Sequence, residues 1–239
     1  VVGACGDPAF GYVGKAYVFF GNAIWSNYVD WTLSLWRTDY FGAAVGTAGD
    51  VNGDGYADLL VGAPGDYLSV TGGRAYVYFG GASPDTVADL TLAGAAAGDG
   101  FGGAVAAAGD VNGDGYDDVV VGANGNDAGG AGAGRAYVYF GGPAMDARAD
   151  VVLTGAAAGD AFGQSVATAG DVNGDGYDDV VVGALTNDAG AVDAGRAYVY
   201  YGGTSPDAVA DLLLTGTAEM GFFGRSVAGG ADVNGDGYG

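Results

Sequence analysis

The string Asp-Val-Asn-Gly-Asp-Gly-Tyr begins at Asp50, Asp110, Asp171 and Asp232, at intervals of 60, 61 and 61 residues. Two further landmarks keep the same period. Phe-Gly stands at Phe41-Gly42, Phe101-Gly102, Phe162-Gly163 and Phe223-Gly224, and a run like Gly-Arg-Ala-Tyr-Val-Tyr-Phe-Gly starts at Gly73, Gly134 and Gly195, with a variant from Gly14 that carries Lys15. A chain made of near-copies folds as a series of like units, each burying its apolar surface on its neighbours.

Each unit reads as four short strands. In the second, the expected strands are Gly102–Ala108, Asp118–Ala123, Arg135–Phe140 and Ala149–Leu153. Clusters of Gly, Asp and Asn separate them, as turns require, and no run has helical periodicity. The fold class is therefore all-β, and four antiparallel strands per strictly repeated unit describe a β-propeller blade. The first strand is poor in bulk (Ala104-Val105-Ala106-Ala107-Ala108), which suits a crowded propeller axis. The third carries the large aromatics expected to fill the space between blades. The whole of 1–239 reads as one domain, with units of roughly 41–100, 101–161, 162–222, and 223–239 together with 1–40. Either the ring is four-bladed and closed by both termini, or these units are part of a larger propeller of the seven-bladed type.

The chemistry lies in the Asp-rich string. Asp50, Asn52, Asp54, Tyr56 and Asp58 occupy positions 1, 3, 5, 7 and 9 of one loop, and the set recurs as Asp110, Asn112, Asp114, Tyr116 and Asp118, and as Asp171, Asn173, Asp175, Tyr177 and Asp179. A fourth copy, Asp232, Asn234, Asp236 and Tyr238, reaches Gly239 without its ninth position. Alternate residues of a tight loop aim hard oxygens at one centre, position 7 through its main-chain carbonyl, which is a calcium pattern. An EF-hand would need Glu at position 12 and flanking helices; Val61, Val121 and Val182 stand there, inside strand-like runs. A metal-free Asx turn is the competing reading, but three carboxylates within nine residues repel one another without a cation.

Charge agrees. The chain carries 29 acidic residues against 7 basic, a formal net charge of −22, and all the acidic residues but Glu219 are Asp. Such a balance disfavours nucleic acid and anionic membranes as partners. There is no His, one Cys (Cys5), and no apolar run long enough to span a membrane as a helix. Lacking the usual neutral-pH acid/base, and with almost every Asp assigned to loops, the chain is not expected to be an enzyme.

With Phe-Gly at four sites, Gly62-Ala63-Pro64 in full, its degraded forms Gly122-Ala123-Asn124, Gly183-Ala184-Leu185 and Gly3-Ala4-Cys5, and an Asp-rich loop between the two motifs, the chain resembles the FG-GAP repeats of integrin α-chain propellers and their bacterial relatives. The resemblance implies calcium loops between first and second strands on one face, and a protein or glycan ligand on the opposite face. There the loops 64–73, 124–134 and 185–195, and those before each Phe-Gly, would do the binding. It also implies an extracellular or cell-surface binding and adhesion module without catalysis. A subunit of a surface layer or fibre, a lectin, and an accessory domain of a secreted enzyme are the alternatives.

Two features stand apart. Trp25, Trp31 and Trp36 cluster in 22–40, either as core of that blade or as a surface for self-assembly or sugar stacking. Arg74, Arg135 and Arg196, with Lys15, recur at the start of the third strand, where each is expected to pair with a nearby Asp or carbonyl.

Overall fold

The computed structural model describes residues 1–6, 14–21, 28–35, 39–65, 72–232 and 234–238. Among the described residues, fifteen strands form four antiparallel sheets. The first has three strands, β1 (Val2–Ala4), β2 (Lys15–Val18) and β3 (Trp31–Ser34). The others have four each. The second holds β4 (Ala44–Gly49), β5 (Asp58–Ala63), β6 (Arg74–Tyr78) and β7 (Leu90–Ala93). The third holds β8 (Ala104–Gly109), β9 (Asp118–Ala123), β10 (Arg135–Tyr139) and β11 (Val151–Thr154). The fourth holds β12 (Phe162–Gly170), β13 (Asp179–Ala184), β14 (Arg196–Tyr200) and β15 (Leu212–Thr215). Strands pair in chain order within every sheet, the up-and-down connection of a propeller blade.

Period-2 alternation sends successive residues of each blade to opposite neighbours. On β9, Val119 and Val121 pack with Leu60, Ala75, Val77 and Leu92 of the blade before, while Val120 packs with Phe162, Val180, Val182 and Tyr198 of the blade after. The interblade layers are thus the hydrophobic core. The third-strand aromatics fill them as expected: Tyr137 and Tyr139 meet Phe101 edge-on at ring separations of 5.4 and 6.5 Å, and Tyr198 and Tyr200 meet Phe162 at 5.2 and 6.3 Å. Edge-to-face pairs of this kind add to the stabilisation from area alone.

The two glycine motifs lock one blade to the next. Phe101, Phe162 and Phe223 each form a parallel bridge to the glycine that opens the third strand of the preceding blade, Gly73, Gly134 and Gly195. The following glycine enters the left-handed region, φ +86° at Gly102 and +83° at Gly163. Its carbonyl abuts the glycine of the Gly-Ala motif one blade earlier, so that a Cβ on Gly62 or Gly122 would strike the carbonyl of Gly102 or Gly163. Bare backbones meet there, and only glycine on both sides permits it.

Among the described residues a ring closed by both termini is not formed: β1 is the edge strand of its three-stranded sheet, with no fourth strand paired to it.

Of the two readings of the tryptophan segment, Trp31 takes that of the blade core. Its side chain is buried, 8% exposed, and meets Tyr78 edge-on at 6.1 Å within the first interblade layer. The alternation Trp31-Thr32-Leu33-Ser34 turns Trp31 and Leu33 inward and the two hydroxyls outward. Trp25 and Trp36 lie outside the described residues. The periodic arginines pair largely with threonine rather than with Asp. Arg135 Nε donates to Thr154 Oγ1 at 3.2 Å and Arg196 Nε to Thr215 Oγ1 at 3.0 Å, across the register that places each Arg opposite its Thr. Arg74, at 4.0 Å from Asp39, follows the expected ion pairing.

Candidate metal centre and ligand face

The Asp-rich loops connect first to second strands: 50–57 joins β4 to β5, 110–117 joins β8 to β9, and 171–178 joins β12 to β13. In an antiparallel meander the third-to-fourth connection lies at the same end of the sheet, and the other two connections lie at the opposite end. The loops therefore share one face by topology.

Their internal structure is the same in each copy. Asp50 Oδ1 accepts the amides of Gly53 at 2.8 Å and Asp54 at 3.0 Å, and its Oδ2 accepts Gly55 at 2.9 Å. Asn52 Oδ1 accepts the Asp54 amide at 2.9 Å, and Asp54 Oδ1 accepts Tyr56 at 2.9 Å. Asp110, Asn112 and Asp114 make the equivalent bonds, as do Asp171, Asn173 and Asp175. The fourth loop repeats them through Asp232, Asn234 and Asp236, ending on the Tyr238 amide. This coil therefore does not depend on the ninth residue. Gly53 and Gly55 allow it by taking φ of +74° and +88°.

The ninth residue has a different environment. Asp58, Asp118 and Asp179 open the second strand and are fully buried. Each spans two segments: Asp118 Oδ2 accepts the Val111 amide at 2.9 Å and its Oδ1 accepts Gly141, in the turn after the third strand, at 2.8 Å. Asp58 does the same with Val51 and Gly80, and Asp179 with Val172 and Gly202. Burial pushes the Asp118 carboxyl up to about 7; the Gly141 and Val111 amides oppose this, and the charges of Asp114 and Asp110 add to it. Asp58 and Asp179 are raised for the same reasons, burial first. The exposed Asp232 goes the other way, lowered chiefly by the Gly237 amide.

The donor set suits a hard cation. It is all oxygen, from Asp, Asn and a main-chain carbonyl; Asp50 Oδ1 spends both lone pairs on the Gly53 and Asp54 amides, whereas Asp50 Oδ2 and Asp54 Oδ1 accept one amide each and keep a second lone pair. Among the described residues, no three acidic side chains converge closely enough to hold an ion by themselves. Any site in these loops would have to draw also on non-acidic oxygens, such as the Asn at position 3 and the carbonyl at position 7.

At the opposite end, the second-to-third-strand loops are tied down by a buried pair that the sequence reading did not single out. Asn126 Nδ2 donates to Asp99 Oδ2 at 2.8 Å, and Asn187 Nδ2 to Asp160 Oδ2 at 2.8 Å, with all four residues buried. Asp99 and Asp160 stand two residues before Phe-Gly, as does Asp39, and this recurrence was the available signal. A cavity of about 340 Å³ opens between these loops, lined by Pro64, Gly100, Asn124 and Gln164 among others. Asn124 Nδ2 donates to Gln164 Oε1 across it at 2.7 Å. Of the first such loop, 66–71, including Tyr67 and Leu68, lies outside the described residues.

Comparison with known proteins agrees with the geometry. The FG-GAP repeat family model matches residues 41–78, 101–139 and 162–200, each running from Phe-Gly to the third strand of one blade. Integrin alpha-5 of Xenopus laevis is 30% identical over 215 residues, covering 86% of this chain and 20% of the relative. Integrin alpha-4 of Xenopus laevis is 37% identical over 161 residues (63% and 15%), and human integrin alpha-IIb 37% over 155 residues (61% and 15%). The chain thus spans a fifth or less of the length of these relatives. No helix in the described residues is long and apolar enough to cross a membrane. With three matched repeats, and blades whose Phe-Gly and Gly-Ala motifs interlock, the chain is an FG-GAP repeat β-propeller similar to integrin alpha subunits.

Proposed function

We propose that this chain is an extracellular, calcium-stabilised binding module of the adhesion type, with no catalytic chemistry of its own. Calcium would be held by Asp50, Asn52, Asp54, the Tyr56 carbonyl and Asp58, and by the equivalent sets from Asp110 and Asp171. Asp232, Asn234, Asp236 and Tyr238 would form a partial fourth site. The carrying observation is that the same all-oxygen loop recurs at one end of successive blades, in a chain of net charge −22. Cations at those loops would offset carboxylate repulsion. Millimolar calcium outside cells fills sites of modest affinity.

The ligand, a protein or glycan, would meet the opposite end, where 124–134 and 185–195 differ in sequence while buried Asn–Asp pairs hold their bases. Similarity to integrin alpha subunits favours a protein ligand.

The test is retention of extracellular-matrix proteins and of a glycan array by the immobilised chain, in 1 mM calcium and in chelator. The reading expects calcium-dependent capture that is lost when 127–132 is replaced by a Gly-Ser linker, with the calcium count unchanged. Capture insensitive to that replacement would move the ligand site elsewhere.

A further inference from the structure

The loops do not stand alone on their face of the molecule. Position 8 of the second and of the third loop reaches the first residue of the loop before it. Asp117 Oδ2 accepts the Asp50 amide at 2.7 Å, and Asp178 Oδ2 accepts the Asp110 amide at 2.9 Å. The same residues return a bond through their own backbones, Asp117 N–H to the Asp50 carbonyl at 3.3 Å and Asp178 N–H to the Asp110 carbonyl at 3.2 Å. Position 1 of one loop is thus clamped at both its N–H and its C=O by position 8 of the next.

Three further contacts follow the same direction. The Tyr116 ring lies on Gly53, so close that a Cβ there would strike Cε1, and Tyr177 and Tyr238 cover Gly113 and Gly174 in the same way. The carboxylates of Asp117 and Asp178 likewise fill the space beside Gly49 and Gly109, both in the left-handed region at φ +78° and +77°. Finally, Gly142 N–H donates to the Val51 carbonyl at 2.7 Å, and its neighbour Gly141 is the residue held by Asp118. Position 9 of the second loop is therefore linked to position 2 of the first through a single turn.

Position 8 is Asp in the second and third loops and Ala57 in the first. Asp117 and Asp178 carry no role in the ligand set, since they neighbour position 9 and the strand alternation turns them away from it. Their carboxylates are used across the blade boundary.

The geometry points to Asp117 and Asp178 as positioning residues that couple neighbouring cation loops, so that ordering one loop raises the cation affinity of the loop one blade earlier. This rests on the calcium reading above. Asp50 is the residue whose two oxygens organise its loop through three amides, and its orientation is set by Asp117. A cation that orders 110–118 fixes Tyr116, Asp117 and the Gly141–Gly142 turn together. That removes freedom the first loop would otherwise lose on binding, which is positive cooperativity between sites.

The experiment is a calcium titration of the whole chain followed by amide NMR, reading Gly55 for the first loop, Gly115 for the second and Gly176 for the third. In Asp117→Ala the Gly55 midpoint is expected to rise about tenfold, the scale of a charge-assisted hydrogen bond, while Gly176 keeps its wild-type midpoint. Asp117→Asn keeps an acceptor for the Asp50 amide and should recover most of the affinity, which guards against a simple folding defect. A Gly55 midpoint unchanged in Asp117→Ala, with calcium still binding, overturns the coupling and leaves the calcium reading standing. Absence of any calcium-dependent shift in the wild type overturns both.

Discussion

Gly102 sits directly against the Arg74 carbonyl of the preceding blade, at φ +86°, and a Cβ at 102 would occupy that oxygen's place. Gly115 has nearly the same backbone angle, φ +89°, but nothing within 4 Å of where its Cβ would stand. Gly115→Ala should therefore cost only the left-handed strain, about 1–2 kcal/mol. Gly102→Ala adds a backbone collision between blades and should cost about 4 kcal/mol or more. Urea unfolding of the two variants checks this; equal losses would mean that the Phe-Gly glycine is chosen for its angle alone.

Asp160 and Asn187 form a buried pair beneath the loop 185–195, and Asn187 Nδ2 also lies 3.4 Å from the Tyr198 hydroxyl. Asp160→Ala leaves the buried amide short of its acceptor, and the Ala157 amide loses its partner as well. The expected loss is about 2–3 kcal/mol. The double variant Asp160→Ala with Asn187→Leu should recover part of it, because the buried Asn187 side-chain amide is then no longer stranded, while the Ala157 and Ala189 backbone amides still lack their acceptors. If the double variant is as unstable as the sum of the singles, the pair is not the unit of stabilisation.

Trp31 belongs to the first interblade layer with Leu33, Phe41, Tyr76 and Tyr78. Trp31→Ala should destabilise the fold by about 3–5 kcal/mol and leave the particle size in solution unchanged. Denaturation and light scattering on the same sample read both. A stable variant that changed its assembly state would return Trp31 to the surface.

Much of this was legible in the sequence because the repeat fixes both strand order and loop placement. The second strand was expected at Asp118–Ala123, and β9 has those bounds. The first strand was expected from Gly102 but starts at Ala104, since Gly102 is spent on the interblade contact and its left-handed backbone leaves the ladder. The last was expected from Ala149 but starts at Val151, because the Asp150 carboxylate turns back to accept the Phe140 amide at 2.8 Å. The face-to-face use of Asp117 was not legible in any single loop. Its adjacent partner Asp118 satisfies the ligand pattern, and the difference between them exists only across a blade boundary. For Trp31 the choice between core and surface was already present in the alternation of 31–34, which turns Trp31 and Leu33 inward.

Asp114 stands at position 5 of the second loop, where its Oδ1 accepts the Tyr116 amide at 3.1 Å and its Oδ2 accepts Asn112 Nδ2 at 3.0 Å. Asp114→Ala should lower the calcium bound per chain by one and reduce the melting temperature in calcium by several degrees, on the scale of about 1–3 kcal/mol for a domain of this size. Equilibrium dialysis supplies the count. An unchanged count would remove Asp114 from the ligand set.

The most direct test of the calcium-loop account is thermal melting of the chain in excess calcium and in chelator, paired with the number of ions bound. Saturating several sites at about 100 times their dissociation constant stabilises by roughly 2.7 kcal/mol per site. Three occupied loops should therefore raise the melting temperature by more than about 10 °C, with at least three calcium ions bound per chain. Identical melting curves in calcium and in chelator would show that the Asp-Asn-Asp coils are self-sufficient turns, and would contradict the account.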